Sequence, residues 1–128
     1  MKLLLDTATF LWIVTEAPEL SSRARELFAD PANDLYLSSV SAWEIAIKYN
    51  LRRLPLPEPP ERFVPAQRRQ HEIEELALEE EAALHLVRLP ALHKDPFDRM
   101  LICQAIVHGL VILTSDPLIS QYPVKTSW

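Results

Sequence analysis

Two short apolar runs, each stopped by an acidic turn, dictate much of this chain's architecture. Leu3-Leu4-Leu5 runs straight into Asp6, and Leu110-Val111-Ile112-Leu113 leads to Thr114-Ser115-Asp116-Pro117. Runs this short cannot make buried helices, and they lack the alternation of a half-exposed strand. They suit strands covered on both faces, the habit of parallel sheets.

The stretches between them read as helices and further strands. Residues 7–16 place Phe10, Leu11, Ile13 and Val14 like one side of a helix, which Pro18 ends. Ser21 or Ser22 offers an N-cap for a second helix carrying Ala24, Leu27 and Phe28. After the turn Asp30-Pro31-Ala32-Asn33-Asp34, the segment Leu35-Tyr36-Leu37-Ser38 reads as a strand. Residues 39–50 read as a helix, with Ser41 three residues before Glu44 in capping-box spacing. Residues 54–60 hold four prolines in seven positions and form a rigid loop. Helices over about 61–70 and 79–86 flank a short strand near 73–76. Asp95-Pro96 opens a helix running to His108, closed by Gly109, and Val124-Lys125-Thr126 is a final edge strand. Strand and helix alternate, which predicts an α/β fold: a single domain over residues 1–128, with a central, mostly parallel sheet of about five strands and helices on both faces.

Length and composition support one core: 128 residues would struggle to build two, and a 48% apolar share is ordinary for a globular protein. With one glycine and eleven prolines, turns fall to proline and to Asn, Asp and Ser. A lone cysteine, Cys103, excludes an internal disulfide and a cysteine-based zinc cage. No apolar run approaches the roughly 20 residues of a membrane span, and the N-terminal run meets Asp6 too soon for a secretion signal. The expected compartment is the cytoplasm, with no membrane partner. A net charge of −5 argues against a broad basic surface for nucleic acid. Nucleic acid as a substrate stays open, because divalent ions on clustered carboxylates supply local positive charge.

In an open parallel sheet, ligands bind beyond the carboxyl ends of the strands. Asp6 and Asp116 each follow a strand, Glu44 lies near the start of the helix after the second strand, and Asp98 lies in the first turn of the helix before the Leu110 run. All four are expected at one sheet edge. Four carboxylates together repel one another unless cations neutralise them, and all-oxygen ligands favour hard ions, Mg²⁺ or Mn²⁺. Such ions would activate a water and stabilise the leaving oxygen of a phosphodiester. Each acid also has a plainer reading. Asp6 could cap the helix near Thr9. Glu44 could close a capping box with Ser41 or pair with Lys48. Asp95 as N-cap, Pro96 at N1 and Asp98 at N3 make an ordinary helix start, and Asp116 before proline is ordinary turn chemistry.

Four ordered motifs carry a resemblance: Leu4-Leu5-Asp6-Thr7 with Phe10-Leu11-Trp12; Leu37-Ser38-Ser39-Val40-Ser41-Ala42-Trp43-Glu44-Ile45; Asp95-Pro96-Phe97-Asp98-Arg99-Met100-Leu101-Ile102; and Leu113-Thr114-Ser115-Asp116. Together they resemble PIN-domain proteins, most of all the bacterial VapC-type toxins, over nearly the whole chain. The resemblance implies a PIN fold, metal-dependent RNA cleavage, homodimers and inhibition by a cognate antitoxin. Asp6, Glu44 and Asp98 match the acids of the family site, Asp116 its fourth, more variable acid, and Thr7 and Thr114 stand where hydroxyls often support it. Two departures are visible: Ala8 where close relatives often have histidine, and Arg52 where glycine usually follows Asn-Leu.

His71, His85, His93 and His108 share no metal-ligand spacing and read as surface or loop histidines. Cys103 reads as core. Lys48 and Arg99, each adjoining an acid, are the best phosphate contacts, ahead of Arg52-Arg53 and Arg68-Arg69. Trp12, Phe10 and Leu27-Phe28 could line a groove for a partner helix, with core packing the simpler role. Two rival functions stand beside a toxin ribonuclease: a non-toxin PIN nuclease in RNA processing, and a binding module that keeps the fold without chemistry.

Overall fold

The computed structural model describes residues 1–128. Five strands form one sheet in the order β3-β2-β1-β4-β5, with every pairing parallel. The strands are β1 (Lys2–Leu5), β2 (Asp34–Ser38), β3 (Ile73–Leu76), β4 (Val111–Leu113) and β5 (Thr126–Ser127). The helices are α1 (Thr7–Val14), α2 (Ser22–Ala29), α3 (Ser39–Asn50), α4 (Pro60–Gln70), α5 (Glu80–Leu84), α6 (Pro96–His108) and α7 (Pro117–Ser120), with a 3₁₀ turn at His85–Arg88. The expected parallel α/β architecture is the observed one.

Alternation along the strands splits the core into two layers. Leu3, Leu5, Leu35, Leu37 and Leu113 face one side, where Phe10, Ile13, Ala24, Leu27, Ile45, Phe63 and Val64 from α1 to α4 cover them. Leu4 and Ile112 face the other, against Leu101, Ile102, Cys103 and Ala105 of α6 and Ile119 of α7. Leu3, Leu4 and Leu5 are fully buried, as a central parallel strand requires. Cys103, Phe10 and Leu27 are core, and Trp12 packs edge-on against Trp128 at 5.8 Å. Phe10 and Leu27 are thus taken up by the core, while Trp12 and Phe28 pack against it half-buried. No helix is long and apolar enough to cross a membrane.

Local departures from expectation have simple causes. Helix α1 stops at Val14, ahead of Pro18, because Glu16 turns left-handed at φ 52°. The capping box fails: Ser38 caps α3 by accepting from Val40 N at 3.0 Å, and Ser41 lies inside the helix. The helix expected over 79–86 tightens into the 3₁₀ turn from His85 onward, and the edge strand expected over 124–126 is two residues long, at Thr126–Ser127. The short helix α7 forms where Asp116-Pro117 reads only as a turn. Gly109 closes α6 with φ 66°, the left-handed position assigned to it.

Arg52 also holds a left-handed backbone, at φ 57°, in the turn after α3. A side chain there crowds the backbone, and glycine does not. Arg52→Gly is expected to stabilise the fold by about 0.5–1 kcal/mol, read from chemical-denaturation midpoints at unchanged slope.

Candidate active site

The sheet order places the topological switch point between β1 and β4: the chain runs from β1 outward through β2 to β3, then returns to the other side of β1. A crevice opens beyond the strand ends at such a point. Asp6 directly follows β1 and Asp116 is the third residue after β4, so both stand on its rim. Glu44 comes from the second turn of α3 and Asp98 from the first turn of α6. All four line a single cleft of about 620 Å³, together with Thr7, Lys48, Arg53, Asp95 and Ser115. A second cavity, about 410 Å³ between α3 and α4, holds Glu61, Arg68 and Glu75 but none of the four acids.

Each acid is held by its own local structure. Asp6 caps α1, accepting from Thr9 N at 2.8 Å through Oδ1, while the Thr114 hydroxyl donates to its Oδ2. That hydroxyl also accepts from Asp116 N at 3.0 Å, tying the end of β4 to the end of β1. Glu44 is only 5% exposed; the Thr7 hydroxyl donates to its Oε1 at 2.7 Å and the Lys48 ammonium pairs with its Oε2 one helical turn on. Asp95 caps α6 by accepting from Phe97 N at 2.9 Å and Asp98 N at 3.0 Å, which fixes the backbone carrying Asp98. Asp116 caps α7, accepting from Leu118 N at 2.9 Å. The capping readings of Asp6 and Asp95 are therefore correct; Asp116, expected as turn chemistry, caps a short helix instead, and all three also have a place in the cleft. The positive ends of α1 and α6 point at this edge and offset part of the acids' repulsion.

Arg99 goes elsewhere. Its guanidinium reaches Leu89 O at 3.4 Å and its Nε is buried without a hydrogen-bond partner, while Arg53 lines the cleft in its stead. Adjacent helix residues point about 100° apart, so adjoining Asp98 in sequence carries Arg99 away from it in space. His93 was read as a surface or loop histidine. It does lie in a loop, but its side chain is only 10% exposed and its Nε2 stands 3.3 Å from Asp98 Oδ2. Its place just ahead of the Asp95-Pro96 helix start was the available clue.

The acids influence one another electrostatically. Burial raises the Asp6 carboxyl above its ordinary value, against hydrogen bonds from Thr114 and Thr9 that lower it, and the charge of Asp116 raises it further. Asp98 is pushed up to about 6 by burial first, then by the charges of Asp95, Glu44 and Asp116, with the His93 contact opposing. A cation placed beside carboxyls held above their normal range would lower them and stabilise the charged form. The donors are all oxygen, which suits a hard divalent cation. No three acidic, thiol or imidazole side chains stand together as a ready-made cage. Each acid is instead engaged by a neighbour: Asp6 by Thr114, Glu44 by Lys48, Asp98 by His93 and Asp116 by Leu118 N.

A carboxylate-lined cleft at the switch point of a five-stranded parallel sheet defines the class: an α/β protein with an acidic site built from strand ends and helix starts. The PIN domain family profile matches residues 3–125, so the chain belongs to the PIN domain family. Over 53 residues it is 43% identical to Ribonuclease VapC16 of Mycobacterium tuberculosis (strain ATCC 25618 / H37Rv), a segment spanning 41% of this chain and 38% of that relative's length. Its fold is similar to a chain in the crystal structure of VapBC2 from Rickettsia felis bound to a DNA fragment from their promoter, at TM-score 0.74 and 16% identity, covering 99% of this chain and 98% of that one. VapBC-1 from nontypeable Haemophilus influenzae follows at TM-score 0.65 and 16% identity over 99% and 97% of the two chains. FitAcB from Neisseria gonorrhoeae gives TM-score 0.65 and 20% identity over 97% and 95%.

The raised Asp98 carboxyl has a consequence with a definite sign. An acid whose folded pKa, about 6, exceeds its ordinary 3.8 weakens the fold once it must ionise. That penalty is absent below about pH 4, grows as pH rises, and is complete above about pH 6. In chelator, Asp98→Asn should be neutral near pH 4 and stabilising at pH 7 by about 1 kcal/mol, reduced from the full shift because the carboxyl is partly solvated. Thermal melts at the two pH values check this; equal effects at both would contradict the assignment.

Proposed function

We propose that this chain is a Mg²⁺- or Mn²⁺-dependent endoribonuclease that hydrolyses RNA phosphodiester bonds with Asp6, Glu44, Asp98 and Asp116. We further propose that it is the toxin of a VapBC-type toxin–antitoxin pair, silenced by a cognate antitoxin and acting in the cytoplasm. The observation that carries the chemistry is the meeting of four sequence-distant acids in one cleft at the sheet's carboxyl edge. The local identity to Ribonuclease VapC16 favours RNA over other phosphodiesters. Fold likeness to the VapBC and FitAcB structures supports the antitoxin partner.

When bound, a hard divalent cation would neutralise the acids and supply the Lewis acidity that phosphodiester hydrolysis needs. Asp6, Glu44, Asp98 and Asp116 would hold it through oxygen. Thr114 and Thr7 keep the Asp6 and Glu44 carboxylates directed into the cleft. Lys48 and Arg53, both in the cleft, are the protein's own cations for the phosphate oxygens that flank the scissile bond. Asp95 supports Asp98 through the α6 cap rather than as a ligand. Trp43 at 59% exposure, Leu84 at 61% and Val87 at 87% offer apolar surface for a protein partner, a second copy of the chain in a homodimer included.

The purified protein is expected to cut single-stranded RNA with Mn²⁺ or Mg²⁺ and to stop in chelator. Asp6→Asn should lower the rate by at least about 100-fold while leaving the fold intact by circular dichroism. Undiminished cleavage in chelator would refute the reading. Expression in a bacterial host should arrest growth, and co-expression of the antitoxin should relieve it. RNA cleavage without arrest would point to an RNA-processing nuclease, and failure to bind Mn²⁺ to a binding module without chemistry.

A further inference from the structure

Behind Asp98, outside the lining of the cleft, runs a polar chain that none of the assigned roles uses. Tyr122, from the segment after α7, is 4% exposed. Its hydroxyl accepts the His93 backbone N–H at 3.0 Å and lies 2.7 Å from His93 Nδ1. The two rings meet edge to face with centroids 5.3 Å apart. On the far side of the imidazole, Nε2 lies 3.3 Å from Asp98 Oδ2.

These contacts select one arrangement of hydrogens. A buried phenol hydrogen needs an acceptor, and His93 Nδ1 is the acceptor in reach. With Nδ1 accepting, a neutral imidazole carries its hydrogen on Nε2, aimed at Asp98. We propose that His93, with its tautomer fixed by Tyr122, is a positioning residue that orients the Asp98 carboxylate by donating from Nε2 to Oδ2, so that Asp98 would be held in place for a divalent cation. This role rests on the metal-nuclease reading above. It differs from a simple tie between the loop before α6 and the C-terminal segment, because a tie would need neither a particular tautomer nor a donor facing Asp98. Partners that orient a metal-binding group typically change affinity by about 10- to 100-fold when removed.

Two measurements separate the role from plain packing. In the metal-free protein, the ¹⁵N shifts of the His93 ring should show Nε2 bearing the hydrogen, and Tyr122→Phe, which keeps the ring contact, should give a tautomer mixture. In titration calorimetry with Mn²⁺, His93→Ala should weaken binding by about 10-fold or more, and His93→Gln, which places an amide donor near the same point, should recover most of that loss. Tyr122→Phe should fall between, and it and His93→Gln carry the test if His93→Ala does not fold. An Nδ1–H ring, or His93→Ala binding Mn²⁺ within about twofold of the unsubstituted protein, would overturn this role alone. An unsubstituted protein that binds no Mn²⁺ would instead overturn the metal-nuclease reading, and this role with it.

Discussion

Like charges crowd together only where something holds them, and here that something is the carboxyl edge of β1 and β4. The Thr114 hydroxyl bridges Asp6 and the Asp116 backbone, so the two strand ends that border the crevice are locked by one side chain. Around this knot the N-termini of α1, α3 and α6 are set by Asp6, Ser38 and Asp95. Two of those caps are themselves acids of the cleft wall. The fold's stability and its acidic cleft are thus made from the same side chains, and burial that would favour the core raises the cost of their charge.

Much of this was legible in the order of residues. Leu3-Leu4-Leu5 and Ile112-Leu113 are buried on both faces because no polar side chain interrupts them, and Gly109 could sit nowhere else so comfortably as at a left-handed helix end. The four acids could be placed at one edge because each lies at a strand end or near a helix start, which a parallel sheet brings to the same side. Their convergence followed from topology, not from spacing along the chain.

What the order of residues concealed was side-chain direction. Arg99 neighbours Asp98 yet turns toward Leu89, and Ser41, in register for a capping box, sits inside α3 with its hydroxyl 2.9 Å from that of Thr7. His93 has no partner at any recognisable spacing; it meets Tyr122 across 29 residues. The same holds for Gln104, which is fully buried in α6 and accepts from the Ser38 hydroxyl at 2.5 Å across 66 residues. Short-range rules find caps and turns well, whereas buried polar pairs are made by tertiary packing and leave no local trace.

The position of β1 at the centre of the sheet shapes how the molecule comes into being. Its neighbours are the early strand β2 and the late strand β4, and the Thr114–Asp6 bond closes a loop of 108 residues. Closing so long a loop costs chain entropy before any contact repays it, and contacts of this kind slow folding. During synthesis the half of the sheet built from β1, β2 and β3 can assemble early, but the crevice gains its second wall only after β4 has left the ribosome. A growing chain therefore carries Asp6 and Glu44 before Asp98 and Asp116, the acids beside them in the finished cleft, have been made.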